Sequence, residues 1–415
     1  MSERIEADYI IETAFPLEQA AEAMAGEQSS GTFVPVPGET PELKARSAAR
    51  IVALDDLGPV GGPSLPGAAR ADQPYRRAKV TLSWPLHNTG PSLPNLMATV
   101  AGNLFELKQF SGLKLTGLRL PRAFGDAYLG PAFGVEGTRR LSGVEGRPLI
   151  GTIIKPSIGF NAEETADLTR VLCGAGIDFI KDDELQSDGP SCPFDERARA
   201  VMRVIDEHAD RTGKKVMFAF NLTGEIDEMR RRHDLVVALG GTCVMASLNS
   251  VGLVGMAALR RDCALPIHAH RNGWGIYDRH PMLGISYVAW QVFWRLIGCD
   301  HMHVNGIANK FCEDDESVIA SARACLTPLW DDKPCIAMPV FSSGQSARQP
   351  PATYEALGSP DLIYAAGGGI MAHPDGVAAG VTSLREAWDA AMAGEALDDY
   401  AKTHPALAAA LGERR

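Results

Sequence analysis

L-I-G-T-I-I-K-P-S-I-G-F-N-A-E-E-T-A-D-L-T-R-V-L-C-G-A-G-I-D-F-I-K-D, residues 149–182, carries the pattern that sets the fold. An apolar, β-branched run from Leu149 to Lys155 gives way to a polar loop containing Gly159. A helical pattern follows, in which Asn161 and Glu164 resemble a capping pair and Leu168, Val171, Leu172 and Ala175 share one face. Gly174 and Gly176 end it, and a second apolar run opens at Ile177 and reaches Asp182. Continuous apolar runs, unlike alternating ones, suit strands buried on both faces, and strand alternating with helix implies a parallel sheet.

Working outward, the theme returns in Val216–Asn221, Cys243–Leu248, Ile267–Arg271, His301–Asn305, Cys335–Phe341 and Leu362–Ala366. With the first two runs these make eight units, which close a (β/α)8 TIM barrel expected over residues 126–415, with Asp398 to Arg415 as a terminal helix. Residues 1–125 read differently. A strand near Tyr9 to Ala14, a helix Leu17 to Ala25, a strand near Ala78 to Trp84, a helix Leu93 to Phe105 and a strand near Leu115 to Leu120 predict a ferredoxin-like α+β domain. Gly58 to Gln73, rich in Gly, Pro and Ala, reads as a loop within it. The fold class is therefore α/β, an N-terminal α+β domain followed by the barrel.

The length of 415 residues accommodates a barrel of about 250 residues plus this smaller domain. A net charge of −11 argues against a nucleic-acid surface, so a phosphorylated substrate must find a local cationic pocket. No apolar run approaches the roughly 18 residues of a membrane span, and the N-terminus lacks the order of a signal peptide, which points to the cytoplasm. The eight cysteines form no C-x-x-C pair and read as small buried residues of a reducing compartment.

In a barrel the C-terminal ends of the strands meet at one mouth, and here nearly every predicted strand ends in polar residues. They are Lys155, Lys181-Asp182-Asp183-Glu184, Asn221, His268 with His270 and Arg271, His303 with Asn305, Ser342-Ser343-Gly344, and Gly367-Gly368-Gly369; Lys310 lies in the loop after the sixth. Each alone is a weak signal, since a charged tetrapeptide is commonly a solvated loop and a triple glycine a turn. Together they describe one site. The triple glycine falls where barrels bind phosphate, and Arg271 with His303, Ser342 and Ser343 offers a second anion pocket. Asp183 and Glu184 are hard oxygen ligands suited to Mg²⁺, which takes about six oxygens. Lys181 would oppose that metal as a cation, whereas carbamylation by CO₂ would make it a third oxygen ligand.

These residues carry a resemblance. G-T-I-I-K-P (151–156), G-I-D-F-I-K-D-D-E (176–184), H-A-H-R (268–271), H-x-N-G-I-A-N-K (303–310), P-V-F-S-S-G (339–344) and G-G-G (367–369) resemble the RuBisCO large subunit, as do G-E-Q-S-S-G-T-F (26–33) and V-A-G-N (100–103). The resemblance implies Lys181 as the carbamylated ligand beside Asp183 and Glu184, and Lys155 as the acid/base. It implies His270 and Lys310 at the reacting oxygens or carboxylate. Arg271, His303 and Ser342 would hold one phosphate end, and Gly367, Gly368 and Thr32 the other. It also implies a homodimer in which Glu27, Thr32 and Asn103 act across the interface.

Departures mark the branch. Ser157 replaces the second lysine of the carboxylating enzymes, Phe33 a tryptophan, and the loop before Lys310 reads N-G-I-A-N, all of which is similar to the non-carboxylating RuBisCO-like proteins, form IV. The retained residues imply an Mg²⁺-stabilised enediolate, and Lys310 implies a substrate that carries a carboxylate. The expected reaction is decarboxylation of a phosphorylated 3-oxo sugar acid of the 3-oxo-isoapionate 4-phosphate type. The alternatives are isomerisation of 5-methylthioribulose 1-phosphate, or a related enolase, and a non-catalytic binding protein.

Overall fold

The computed structural model of the protein describes residues 3–31, 36–69, 71 and 73–412. In chain order its strands are β1 (Arg4–Thr13), β2 (Arg50–Pro59), β3 (Arg76–Pro85), β4 (Phe110–Arg119), β5 (Leu149–Ile153), β6 (Phe179–Lys181), β7 (Met217–Asn221), β8 (Cys243–Ser247), β9 (Ile267–His270), β10 (Leu283–Ile285), β11 (His301–Asn305), β12 (Met338–Phe341) and β13 (Ile363–Ala365). The chain divides into two compact units, residues 1–128 with 273–296, and residues 129–272 with 297–415.

The first unit is a sheet in the order β10-β4-β1-β3-β2. β1 runs antiparallel to β3 and β4, and β2 antiparallel to β3; with helices Leu17–Glu27 and Leu93–Ala101 this is the expected ferredoxin-like arrangement. Alternation along β1 buries Ile5, Ala7, Tyr9 and Ile11, and the Tyr9 hydroxyl donates to the Val100 carbonyl at 2.7 Å. β10 extends the sheet in parallel with β4.

Two details differ from the sequence expectation. β2 carries no strand signal in the sequence: it is an edge strand with no apolar period, its Val52 and Leu57 are 54% and 51% exposed, and backbone pairing with β3 defines it. The helix expected to reach Phe105 ends at Ala101, where the Gly102 backbone leaves helical geometry with ψ near −120°; a 3-10 turn, Asn103–Glu106, follows.

The second unit is the closed parallel barrel β11-β12-β13-β5-β6-β7-β8-β9. All eight expected runs supply its strands. Leu149, Phe179, Met217, Ala219, Cys243, Met245, Met338, Val340, Ile363 and Ala365 fill its interior. Helix Ala162–Gly174 carries the expected capping box, with Asn161 Oδ1 accepting from the Glu164 amide at 3.0 Å and Glu164 Oε2 from the Asn161 amide at 2.9 Å.

Its buried face is Ala162, Thr165, Ala166, Thr169, Leu172 and Cys173, however, and Val171 is exposed. The C-terminal segment is likewise not one helix but two short ones, Leu397–Tyr400 and Pro405–Leu411, the second opened by proline. Of the eight cysteines seven are buried and Cys312 is exposed. Among the described residues no helix is long and apolar enough to cross a membrane.

Candidate active site

Lys181 is the last residue of β6, and the barrel wall buries its side chain completely. Its ammonium donates to Glu184 Oε2 at 3.0 Å and to the Asp182 carbonyl at 2.9 Å. Burial, the largest single influence, raises the Glu184 carboxyl, but the Lys181 and His270 charges and the hydrogen bonds from Lys181 and the backbone together outweigh it and bring Glu184 down to about 2. His270, ending β9, sets Nε2 3.4 Å from the same carboxylate oxygen. Burial, aided by the Lys181 charge, brings its imidazole down to about 4, so the ring is neutral near pH 7.

Lys155, just past β5, reaches across to β6. Its Nζ lies 2.6 Å from Asp183 Oδ2 and 2.7 Å from Ser157 Oγ, with a side chain 40% exposed against 1% for Asp183. Asn221 at the end of β7 braces the turn, its Nδ2 donating to the Asp183 and Glu184 carbonyls at 3.3 Å each. Asp182 points away from this cluster into a buried pair with Arg197, and its Oδ2 accepts from the Asn221 amide at 2.9 Å. The tetrapeptide is thus divided: Asp182 holds the framework, while Lys181, Asp183 and Glu184 face Lys155 and His270.

The donor set suits a hard metal only in part. Among the described residues no three His, Cys, Asp or Glu side chains are grouped to hold an ion. Glu184 lies beside the buried Lys181 nitrogen and Asp183 follows two residues after it, so a carbamate on that nitrogen would add a third oxygen ligand to the two carboxylates.

On the other side of the mouth, His303 lies between His268 and Ser342, with Nε2 2.7 Å from His268 Nε2 and Nδ1 3.1 Å from Ser342 Oγ. Asn305 and Ser343, ending β11 and following β12, both adopt positive φ, 68° and 71°, and are joined by Ser343 Oγ donating to Asn305 Oδ1 at 2.8 Å. Arg271 is ion-paired with Glu313, which also accepts from Asn305 Nδ2 at 2.6 Å. Sequence reading passed over Glu313, since a lone acid ahead of a helix carries no signal of its partner. At the end of β13, a Cβ on Gly369 would lie 2.6 Å from the Gln345 carbonyl, whereas one on Gly368 would meet nothing within 4 Å. Backbone packing demands glycine at 369, and open space lies beside 368.

Lys310 is exposed, its amide donating to the Ser343 carbonyl at 3.0 Å and its ammonium 5.3 Å from the Phe311 ring centre. In the N-terminal unit, Asn103 Nδ2 donates to Glu27 Oε1 at 3.2 Å, so those two are brought together. Thr32 lies outside the described residues.

The family model for the ribulose bisphosphate carboxylase large-chain catalytic domain matches residues 134–413, and that for its N-terminal domain matches 6–124. The chain belongs to the RuBisCO large-chain family. Among RuBisCO relatives it is 60% identical, over 99% of both chains, to the 3-oxo-isoapionate-4-phosphate transcarboxylase/hydrolase of Xanthobacter autotrophicus. It is 46% identical to the 3-oxo-isoapionate-4-phosphate decarboxylase of Rhizobium rhizogenes, over 98% of this chain and 97% of that one. The crystal structure of a RuBisCO-like protein from Burkholderia fungorum is 48% identical and superposes with a TM-score of 0.93, covering 99% of each chain. These similarities set the chain among the RuBisCO-like proteins, not the bisphosphate carboxylases, in keeping with Ser157 at the first strand end.

Proposed function

We propose that this RuBisCO-like chain is an enzyme that cleaves the bond to the carboxyl group of 3-oxo-isoapionate 4-phosphate or a phosphorylated 3-oxo sugar acid of the same kind. The observation that carries the reading is the convergence of Lys155, Lys181, Asp183, Glu184 and His270 at one end of the barrel. The two relatives named for this substrate, at 60% and 46% identity, support it.

In a 3-oxo acid the electron pair of the breaking carbon–carbon bond passes towards the neighbouring carbonyl, so CO₂ departs and an enediolate remains. Mg²⁺ held by Asp183, Glu184 and carbamylated Lys181 would supply Lewis-acid stabilisation of that oxygen charge. Lys155, half exposed beside Asp183, returns a proton to the carbon that lost CO₂. His270 orders the Glu184 carboxylate and faces the reacting oxygens, and Lys310 supplies the cation opposite the departing carboxylate. Gly367 and Gly368 hold the phosphate through backbone amides, joined by Thr32 of the second copy of the homodimer. Arg271, His303 and Ser342 receive the other end of the substrate. Glu27 and Asn103 act from the second copy of a homodimer. Seven buried free thiols support a cytoplasmic setting.

A second reading, favoured by the 60% identity, is that the carboxyl is transferred or the product hydrolysed instead of CO₂ being released. The test is product stoichiometry with Mg²⁺ and bicarbonate in D₂O. One CO₂ per substrate and a deuterated ketose phosphate one carbon shorter support decarboxylation. Substrate loss without net CO₂ supports the transcarboxylase/hydrolase reading. No turnover of this substrate, with isomerisation of 5-methylthioribulose 1-phosphate instead, or with neither, overturns the proposal.

A further inference from the structure

Three histidines stand in a row inside the barrel, and their protons can be counted. At the end remote from the mouth, Thr138 on helix Gly134–Ser142 donates its hydroxyl to the Gly134 carbonyl and lies 2.8 Å from His301 Nε2. A hydroxyl has one proton, so His301 carries its own on Nε2 and leaves Nδ1 bare. His301 Nδ1 faces His268 Nδ1 at 3.4 Å, His268 Nε2 faces His303 Nε2 at 2.7 Å, and His303 Nδ1 faces Ser342 Oγ at 3.1 Å.

Burial brings His301 down to about 3 and pushes His268 and His303 well below the ordinary histidine range, so each ring holds one proton. Each junction needs one donor and one acceptor. The row therefore reads His268 Nδ1–H to His301, His303 Nε2–H to His268, and Ser342 O–H to His303.

The neighbours leave Ser342 no second proton source. Asn305 Nδ2 donates to Glu313, so Asn305 Oδ1 takes the Ser343 proton at 2.8 Å. Ser342 could give its proton to Ser343 Oγ only across 3.4 Å, and would then leave the buried His303 Nδ1 without a donor. Ser342 thus turns only lone pairs to the pocket, and His303 has no proton to spare. A singly phosphorylated substrate needs one phosphate pocket, while the mouth offers two candidate ends.

We propose that Thr138, His301 and His268 are positioning residues that fix the tautomer of His303 and, through it, make Ser342 a hydrogen-bond acceptor. This end of the site then takes a hydroxyl-bearing carbon of the substrate, and the phosphate goes to the Gly367–Gly368 end. The substrate assignment rests on the function proposed above; the tautomer assignment does not.

The experiment has two arms. In the first, ¹⁵N-histidine spectra of the ligand-free protein report tautomers. The expected pattern is Nε2–H for His301, Nδ1–H for His268 and Nε2–H for His303. Thr138→Val should disturb all three, although His301 is the one histidine of the row that Thr138 touches, and Thr138→Ser should restore the pattern. Any other wild-type pattern, or a change confined to His301 in Thr138→Val, overturns the positioning role.

In the second arm, inorganic phosphate is titrated as the probe. Ser342→Ala should leave its dissociation constant within about twofold, while the KM for the 3-oxo acid phosphate rises roughly tenfold. Gly368→Val should weaken phosphate binding. Phosphate binding lost in Ser342→Ala overturns the subsite assignment. Absence of wild-type turnover overturns the proposed function, and the tautomer spectra still decide the positioning role.

Discussion

Lys181 Nζ lies 3.0 Å from Glu184 Oε2 with the lysine side chain wholly buried. A buried ammonium persists only where carboxylates and carbonyls compensate it, and this one has both within 3.0 Å. The same enclosure makes the nitrogen a fixed platform from which a carbamate would meet Asp183 and Glu184. Lys181→Met keeps the volume and removes both the charge and the nucleophilic nitrogen. Turnover should fall by about 10³-fold and lose any dependence on added CO₂ and Mg²⁺. Activity of the variant within tenfold of wild type, measured by product formation, would overturn the role.

Lys155 bonds to Asp183 and Ser157 but is the more exposed partner. Lys155→Met leaves the buried Asp183 carboxylate without its cation, so it should lower the urea midpoint as well as the rate. Proton incorporation from D₂O by the folded variant should drop by about 10²–10⁴-fold. Deuterium incorporation at the wild-type rate would remove Lys155 from the proton-transfer step.

The sequence made the barrel legible because its strands are continuous apolar runs ending in polar residues, a pattern that survives without knowledge of any contact. Helix Ala162–Gly174 shows where such reading stops. Thr165 and Thr169 are buried because their hydroxyls bond to the carbonyls four residues back, at 2.8 Å each, and so behave as apolar on the packed face. A hydropathy pattern gives Val171 that place instead. The grouping of Lys181, Asp183 and Glu184 was readable from spacing along a strand end. The separation of Asp182 from them was not, because its partner Arg197 lies 15 residues on and only the folded chain joins the two.

That pair is testable. Arg197 donates to Asp182 Oδ2 at 3.2 Å and to the Cys192 carbonyl at 3.0 Å, both buried, and to the half-buried Ser187 carbonyl at 2.7 Å. Removing one member strands a charge, so Arg197→Met should destabilise the barrel by about 3–5 kcal/mol. Asp182→Asn in addition should recover part of the loss. Equal urea midpoints for Arg197→Met and wild type would show the pair to be dispensable.

Acid should weaken the fold through the buried histidines. His270 and His301 are brought down to about 4 and about 3, first by burial, while in the unfolded chain a histidine titrates near 6.5. Between those values the unfolded state binds more protons, so stability rises with pH across the window and is lost as pH falls below about 6.5. Each such histidine costs about 1.4 kcal/mol per pH unit there. Glu184, held at about 2, adds to the loss only below its ordinary value of 4.5. Urea midpoints should fall steadily from pH 7 to pH 5 with proton uptake on unfolding, and a flat profile would contradict neutral burial.

Lys310 distinguishes the candidate reactions. Its backbone is tied to the Ser343 carbonyl at 3.0 Å, yet its ammonium lies over Phe311, clear of the Lys155–Asp183 cluster. A cation from this loop serves a substrate that carries a carboxylate, which it binds and orients before the charge passes to the neighbouring carbonyl oxygen. For a decarboxylase, Lys310→Ala should cut CO₂ release by about 10²–10³-fold. For an isomerase, whose substrate bears no carboxylate, the same change should leave turnover of 5-methylthioribulose 1-phosphate within about tenfold. Unchanged CO₂ release in Lys310→Ala would sink the role given to this lysine, because no carboxylate would then depend on its charge.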